Sequence, residues 1–288
     1  MAARAAAGSS VGAPAALGGR DRNEDNYLLC HGESIRRMVG GTEWVDAFAG
    51  PPGVLAAVCD GMGGHDEGDR ASELGIGALV DLWRSGKAPD EVRSLVRCVR
   101  EAHAALYWKE REKGPVRLGT TLTAVWLEGR RAAWIHVGDS RIYRLREGVL
   151  ERWTTDHTRN EFARRDGLLE RPEWEGLCQC FLYGSRGLGD NTSLRLDPGV
   201  DYGTHEIASG DQLLICSDGL VPVVAEQRVA EILGAAREPA DAVASLLREA
   251  VSAGAPDNVT AVVVRAEGFE DDPSQGWLND DTEETFVF

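Results

Sequence analysis

Carboxylates stand at the ends of several short apolar runs in this chain, beside residues that let the backbone turn. The run 54–59 passes into Asp60-Gly61-Met62-Gly63-Gly64-His65, the run 132–137 into Gly138-Asp139-Ser140-Arg141, and the run 212–217 into Asp218-Gly219. Asp257-Asn258 comes just before the run 259–265, and Glu24-Asp25 just before the run 26–30. Glycine and asparagine at such places allow tight turns and close approach of backbone to a ligand. One acid after a strand is most often a turn former. Five such places in one sheet protein are harder to explain that way, because clustered carboxylates repel unless cations sit among them. Oxygen ligands with no nearby His-x-His or cysteine pair favour Mg²⁺ or Mn²⁺ over zinc.

The elements that must position these acids follow from the apolar pattern. Runs 54–59, 121–127, 132–137, 212–216 and 259–265 are rich in Val, Ile, Leu, Thr and Trp and bounded by Gly or Asp, so they read as buried strands. Segments 141–146 and 149–153 flank Glu147-Gly148 and predict a hairpin. Two long helices are expected over 89–113 and 239–253, each with Pro near its start, an apolar stripe, and Gly just past its end. A third, over 67–83, is weakened by Gly75 and Gly77. Strands and helices come in blocks rather than in strict alternation. That implies an α+β fold, a two-layer sheet core covered by helices.

Taken in order, Arg20-x-x-x-Glu24-Asp25, Asp60-Gly61-Met62-Gly63-Gly64-His65, Gly119-Thr120-Thr121, Gly138-Asp139-Ser140-Arg141, Ser217-Asp218-Gly219-Leu220 and Asp257-Asn258-Val259-Thr260 form a set. This set resembles the motifs of the type 2C metal-dependent protein phosphatases, in their bacterial form, over roughly residues 18–266. The resemblance implies an αββα sandwich of two antiparallel sheets with a pair of Mn²⁺ or Mg²⁺ ions at one end. It also implies hydrolysis of phosphoserine and phosphothreonine in proteins, by attack of a hydroxide bridging the two ions. Matched position by position, Asp60 bridges the ions, the Gly61 carbonyl binds one of them, and Asp218 and Asp257 complete the pair. Glu24 and Asp25 hold coordinated waters, Arg20 grips the substrate phosphate, and Asp139 matches the ligand of a third, weaker ion. The implied partners are phosphorylated proteins, the products of a Ser/Thr kinase. Met62 stands where animal members carry a histidine proposed to protonate the leaving group, so that acid is left open between His65 and water. The insertion 34–53 is longer than the family pattern, and 158–196, where the family places a variable flap, is Arg- and Glu-rich. Ser140 and Ser217 read as turn residues.

Composition narrows the alternatives. The 288 residues suit one large domain or two small ones, and a net charge of −16 argues against a nucleic-acid partner held through phosphates. Half of that charge lies in the acidic stretch 267–288, which has no Lys or Arg. This stretch and the Ala/Gly/Ser-rich residues 1–17 read as disordered ends. No apolar run approaches the roughly 18 residues that span a membrane, and 1–17 lacks the apolar block of a signal peptide. A cytoplasmic protein is the expectation, with Cys59 and Cys216 as reduced, buried thiols. A cysteine-dependent phosphatase would need Cys-x₅-Arg in a Gly-rich cradle. The two matches, Cys30 to Arg36 and Cys180 to Arg186, have neither a preceding His nor such a cradle. The remaining rival is a catalytically silent phosphatase fold that serves as a binding or scaffold module. Such a module would be expected to lack a metal ligand, and here every matching acid is present.

Overall fold

The computed structural model describes residues 2–14, 18–62, 66–86, 92–114, 118–165, 167, 177–182, 185–186, 194–195 and 199–268. In chain order the strands and helices are β1 (Ala2–Ser10), β2 (Asp25–His31), β3 (Ser34–Val39), β4 (Thr42–Ala47), β5 (Val54–Met62), α1 (Asp66–Arg84), α2 (Val92–Arg111) and β6 (Gly119–Thr120). They continue with β7 (Leu122–Glu128), β8 (Arg131–Val137), β9 (Arg141–Arg146), β10 (Val149–Arg152), α3 (Arg159–Arg165), β11 (Ser185–Arg186) and β12 (Leu194–Arg195). Last come β13 (Asp201–Glu206), β14 (Gln212–Cys216), α4 (Glu226–Ala235), α5 (Pro239–Ser252) and β15 (Val259–Glu267).

Two antiparallel sheets form the centre. One runs β1-β15-β14-β9-β10; the other runs β13-β8-β7-β5-β2-β3-β4, with β6 pairing on β5. Their facing sides share a core in which Tyr27, Leu29, Val58 and Val125 meet Ile142, Ile215, Val262 and Val264. On the outer side of the larger sheet, Leu28, Leu55 and Trp126 pack against Ile76 and Leu79 of α1 and Leu95 and Val99 of α2. Leu214, Ala261 and Val263 do the same for α4 and α5 through Leu233, Val243 and Leu246. The central strands are thus buried on both faces, which is why they read as continuous apolar runs rather than as alternating ones. This is the αββα sandwich that the motif set implies. The expected hairpin is present as well: Glu147 and Gly148 both take positive φ, 50° and 82°, the two-residue turn that suits strand twist.

Three stretches correct or extend the expectation. Within 1–17, expected as a disordered end, residues 2–10 form a strand, because β1 pairs with β15 along its whole length, from Ala2↔Glu267 to Ser10↔Val259. Its small side chains hide a strand signal for a packing reason. Helix α5 lies so close that a Cβ on Gly8 would come within 2.9 Å of Val243 Cγ1. Residues 2–10, outside the span 18–266 that the motifs cover, are thus part of the smaller sheet. The insertion 34–53 is a hairpin, β3–β4, that extends the larger sheet, with Ile35 buried and Trp44 54% exposed. At the other end, Glu267 completes β15 and accepts a 2.8 Å hydrogen bond from Arg4; residues 269–288 lie outside the described residues, as does about half of 158–196.

Candidate metal centre and active site

Strand direction gathers the acids. The C-terminal ends of β5, β8 and β14 and the N-terminal ends of β2 and β15 meet at one end of the sandwich. Asp25 and Asp60 are direct register partners across β2 and β5. Asp25 then reaches the other sheet, where its Oδ2 accepts hydrogen bonds from Ser217 Oγ and Thr260 Oγ1, both at 2.7 Å. Asp218 follows Ser217 at the end of β14, Asp257 precedes β15, and Asp139 sits in the turn between β8 and β9. Gly61 is buried and pairs with Thr120 of β6. Glu24 precedes β2, its backbone N–H held by Asn258 Oδ1 at 2.8 Å. Arg20, 58% exposed at the rim, donates to Asp257 Oδ2 at 2.8 Å. Among the described residues, Glu24, Asp25, Asp60, Gly61, Asp139, Asp218 and Asp257 therefore gather at one site, and Arg20 at its rim engages an acid of the cluster.

The electrostatics are those of crowded like charges. Burial pushes the Asp60 carboxyl well above the usual carboxylate range, and Asp25, Asp218, Asp139 and Asp257 add to the rise. Asp25 is only 1% exposed. Its burial raises it to about 7, assisted by the charges of Asp218 and Asp257, although the Ser217 and Thr260 hydroxyls pull the other way. Burial likewise lifts Asp139 to about 8, with Asp218 and Asp156 contributing. Asp218 is raised by burial and by Asp257, while a hydrogen bond with Asp60 opposes the shift. Among the described residues, the buried Oδ1 atoms of Asp25 and Asp218 have no hydrogen-bond partner. Such atoms are costly unless something positive meets them. Among the described residues no three His, Cys, Asp or Glu side chains close on one point as a complete ligand cage. A hard cation that keeps several waters and takes only one or two direct carboxylates does not require one. The oxygen-only donors, the orphaned oxygens and the mutual repulsion all fit divalent cations of that type.

Several supporting residues are visible only in three dimensions. Thr121 Oγ1 accepts the Asp60 N–H at 2.9 Å and is bonded to Ser140 Oγ at 2.8 Å. Ser140 and Ser217 are thus buried structural hydroxyls rather than plain turn residues, and Ser217 also accepts the Thr260 N–H at 2.9 Å. Asp156 takes a bidentate pair from Arg141, at 3.1 and 2.7 Å, and steadies the turn that carries Asp139. Ser9 of β1 bonds Thr260 Oγ1 at 2.6 Å, so the N-terminal strand buttresses Asp25 through one intermediary. Thr121, Asn258 and Thr260 lie inside motifs and could have been suspected; Ser9 and Asp156 carry no signal of their own. The thiols of Cys30, Cys178 and Cys216 are buried, and burial raises all three, the opposite of a nucleophile's requirement.

With this geometry in view, the comparison with known proteins is decisive: the sequence profile of protein phosphatase 2C matches residues 41–261. The chain belongs to the protein phosphatase 2C family. Serine/threonine protein phosphatase PstP of Mycobacterium tuberculosis is 36% identical over 210 residues, 73% of this chain and 40% of that protein. The chain therefore matches well under half the length of that relative. Serine/threonine phosphatase stp of Listeria monocytogenes is 31% identical over 215 residues, covering 73% of this chain and 83% of that one. A crystal structure of the PstP catalytic domain in complex with two manganese ions superposes with a TM-score of 0.69 at 32% identity, covering 92% of this chain and 99% of that one. Within this phosphatase 2C fold Met62 is partly exposed on the last residue of β5, whereas His65 lies outside the described residues.

Proposed function

We propose that this chain is a metal-dependent phosphatase that removes phosphate from serine and threonine side chains of proteins. The observation that carries the reading is the crowded, half-buried and mutually repelling carboxylate cluster at one end of a phosphatase 2C fold. Related phosphatases, one of them with two manganese ions bound, support it.

In this reading Asp60, the Gly61 carbonyl, Asp218 and Asp257 hold two Mn²⁺ or Mg²⁺ ions, and Asp139 serves a third. When bound, such ions lower the pKa of a coordinated water towards about 7 and neutralise charge on the phosphate. That contribution is needed because enzymatic enhancements for phosphate monoesters reach about 10²¹, roughly 28 kcal/mol of barrier. General acid–base groups alone supply about 10²–10⁴. Glu24 and Asp25 orient water, Asp25 being fixed by Ser217 and Thr260. Arg20 at the rim takes the non-reacting phosphate oxygens in its planar fork, exchanging Asp257 for substrate. Phosphoproteins made by a Ser/Thr kinase are the substrates, which places the chain in signalling. The net charge of −16 speaks against nucleic acid. No helix among the described residues is long and apolar enough to cross a membrane. Six free cysteines suit the reducing cytoplasm. Hydrolysis of a phosphothreonine peptide should require added Mn²⁺ or Mg²⁺ and stop with a chelator. Vanadate-sensitive turnover that survives the chelator would overturn the reading, and folded, metal-loaded protein with no turnover would favour a silent scaffold.

A further inference from the structure

We propose that His157 is a positioning residue that clasps the Gly138-Asp139 turn for cation binding, with Asp201 orienting its ring. This rests on the reading of Asp139 as a cation ligand. His157 is 1% exposed and belongs to none of the motifs. Its Nδ1 accepts the Gly138 N–H at 3.2 Å, and its own backbone N–H donates to the Gly138 carbonyl at 2.7 Å. One residue thus holds Gly138 through both of its polar backbone atoms. A peptide N–H can only donate, so Nδ1 carries no proton and the ring proton sits on Nε2. There it faces Asp201 Oδ2 at 3.1 Å, from the first residue of β13. A carboxylate on the far nitrogen is the usual device for fixing both ring orientation and tautomer.

The turn needs an outside clasp. Gly138 has φ +115°, and a Cβ there would lie 2.5 Å from Thr121 Cγ2, so no side chain of its own can brace it. Thr121 in turn accepts the Asp60 N–H, which ties the clasped turn to the central acid as well as to Asp139. The His157 carbonyl accepts both the backbone N–H of Cys178, at 2.9 Å, and its thiol, at 3.2 Å. The Asp139 turn and the 177–182 segment therefore share one anchor. Simple core filling is the competing account, since the His136 and Phe162 rings lie 4.7 and 5.9 Å away. Leucine would fill that space equally well, and this separates the two ideas.

The test uses the full chain with Mn²⁺ as probe. H157L keeps the bulk and removes both nitrogens; H157N restores an acceptor near the place of Nδ1. Calorimetric Mn²⁺ titration should show the weakest site of H157L loosened by about 10–100-fold, with the tighter sites nearly unchanged. Hydrogen exchange at Gly138 should quicken by on the order of 10-fold, and H157N should recover most of both losses. A wild-type isotherm and wild-type Gly138 exchange in H157L would overturn the proposal. So would a folded H157N no better than H157L. If H157L does not fold, D201A takes its place: a loosened weak site supports the clasp, and an unchanged one overturns it. D139N separates the layers. Should D139N leave the weakest site intact, the reading of Asp139 beneath the proposal fails; if D139N weakens it and H157L does not, only the clasp fails.

Discussion

Asp25 illustrates how one carboxylate is prepared for work. Its Oδ2 is bound by two hydroxyls while its buried Oδ1 has no hydrogen-bond partner among the described residues, so one oxygen fixes the side chain and the other is available. The motif places Ser217 beside Asp218 and says nothing more of it. Its role depends on Asp25, 192 residues earlier, and on Thr260, 43 residues later, contacts that exist only after both sheets have formed. Ser217→Ala removes a charge-assisted bond and leaves a buried N–H unpaired. It should cost about 1–3 kcal/mol in urea unfolding and lower turnover, Thr260 alone holding the carboxylate. Unchanged stability and turnover would show that Thr260 suffices.

At the level of elements, legibility follows burial. The strands β2, β5, β7, β8, β14 and β15 are covered on both faces, so each leaves an apolar run bounded by turn residues, and the acids that precede or follow five of those runs mark the candidate site. Strand β1 is invisible in the same terms, because an Ala/Gly/Ser segment has no strand character until β15 offers hydrogen bonds and α5 demands small side chains. The β3–β4 hairpin is poorly legible for the opposite reason: β3 buries only Ile35 and Met38, and β4 buries no residue, Trp44 and Val45 each being 54% exposed. Its latch is Tyr27, whose hydroxyl donates to Glu43 at 2.7 Å. Deleting residues 1–10 should strip the edge of β15 and remove Ser9 from Thr260. The expected fall in melting temperature is on the order of 10 °C, with loss of activity beyond that expected from unfolding alone. A truncated protein that melts and turns over like the full chain would show that β1 is dispensable.

On the scale of the whole molecule, the acid cluster makes stability depend on pH and on cations together. Asp25 and Asp139 titrate at about 7 and about 8 in the folded protein, above the roughly 3.9 of an unfolded chain. Between those limits these two groups bind more protons in the folded state than in the unfolded one, so their contribution to metal-free stability is fully present at low pH and is lost as pH rises from about 4 to about 8. Cations that need the ionised carboxylates act in the opposite sense. The gain in melting temperature from Mn²⁺ over chelator should therefore be larger at pH 8 than at pH 5; equal gains would mean that the ions bind elsewhere. The central claim, that these carboxylates serve a cation-dependent phosphatase, meets its most direct test in Asp218→Asn. That change keeps size and shape and removes the charge. Turnover of a phosphothreonine peptide at saturating Mn²⁺ should fall by at least about 100-fold in a protein that remains folded. Near wild-type turnover would contradict the account.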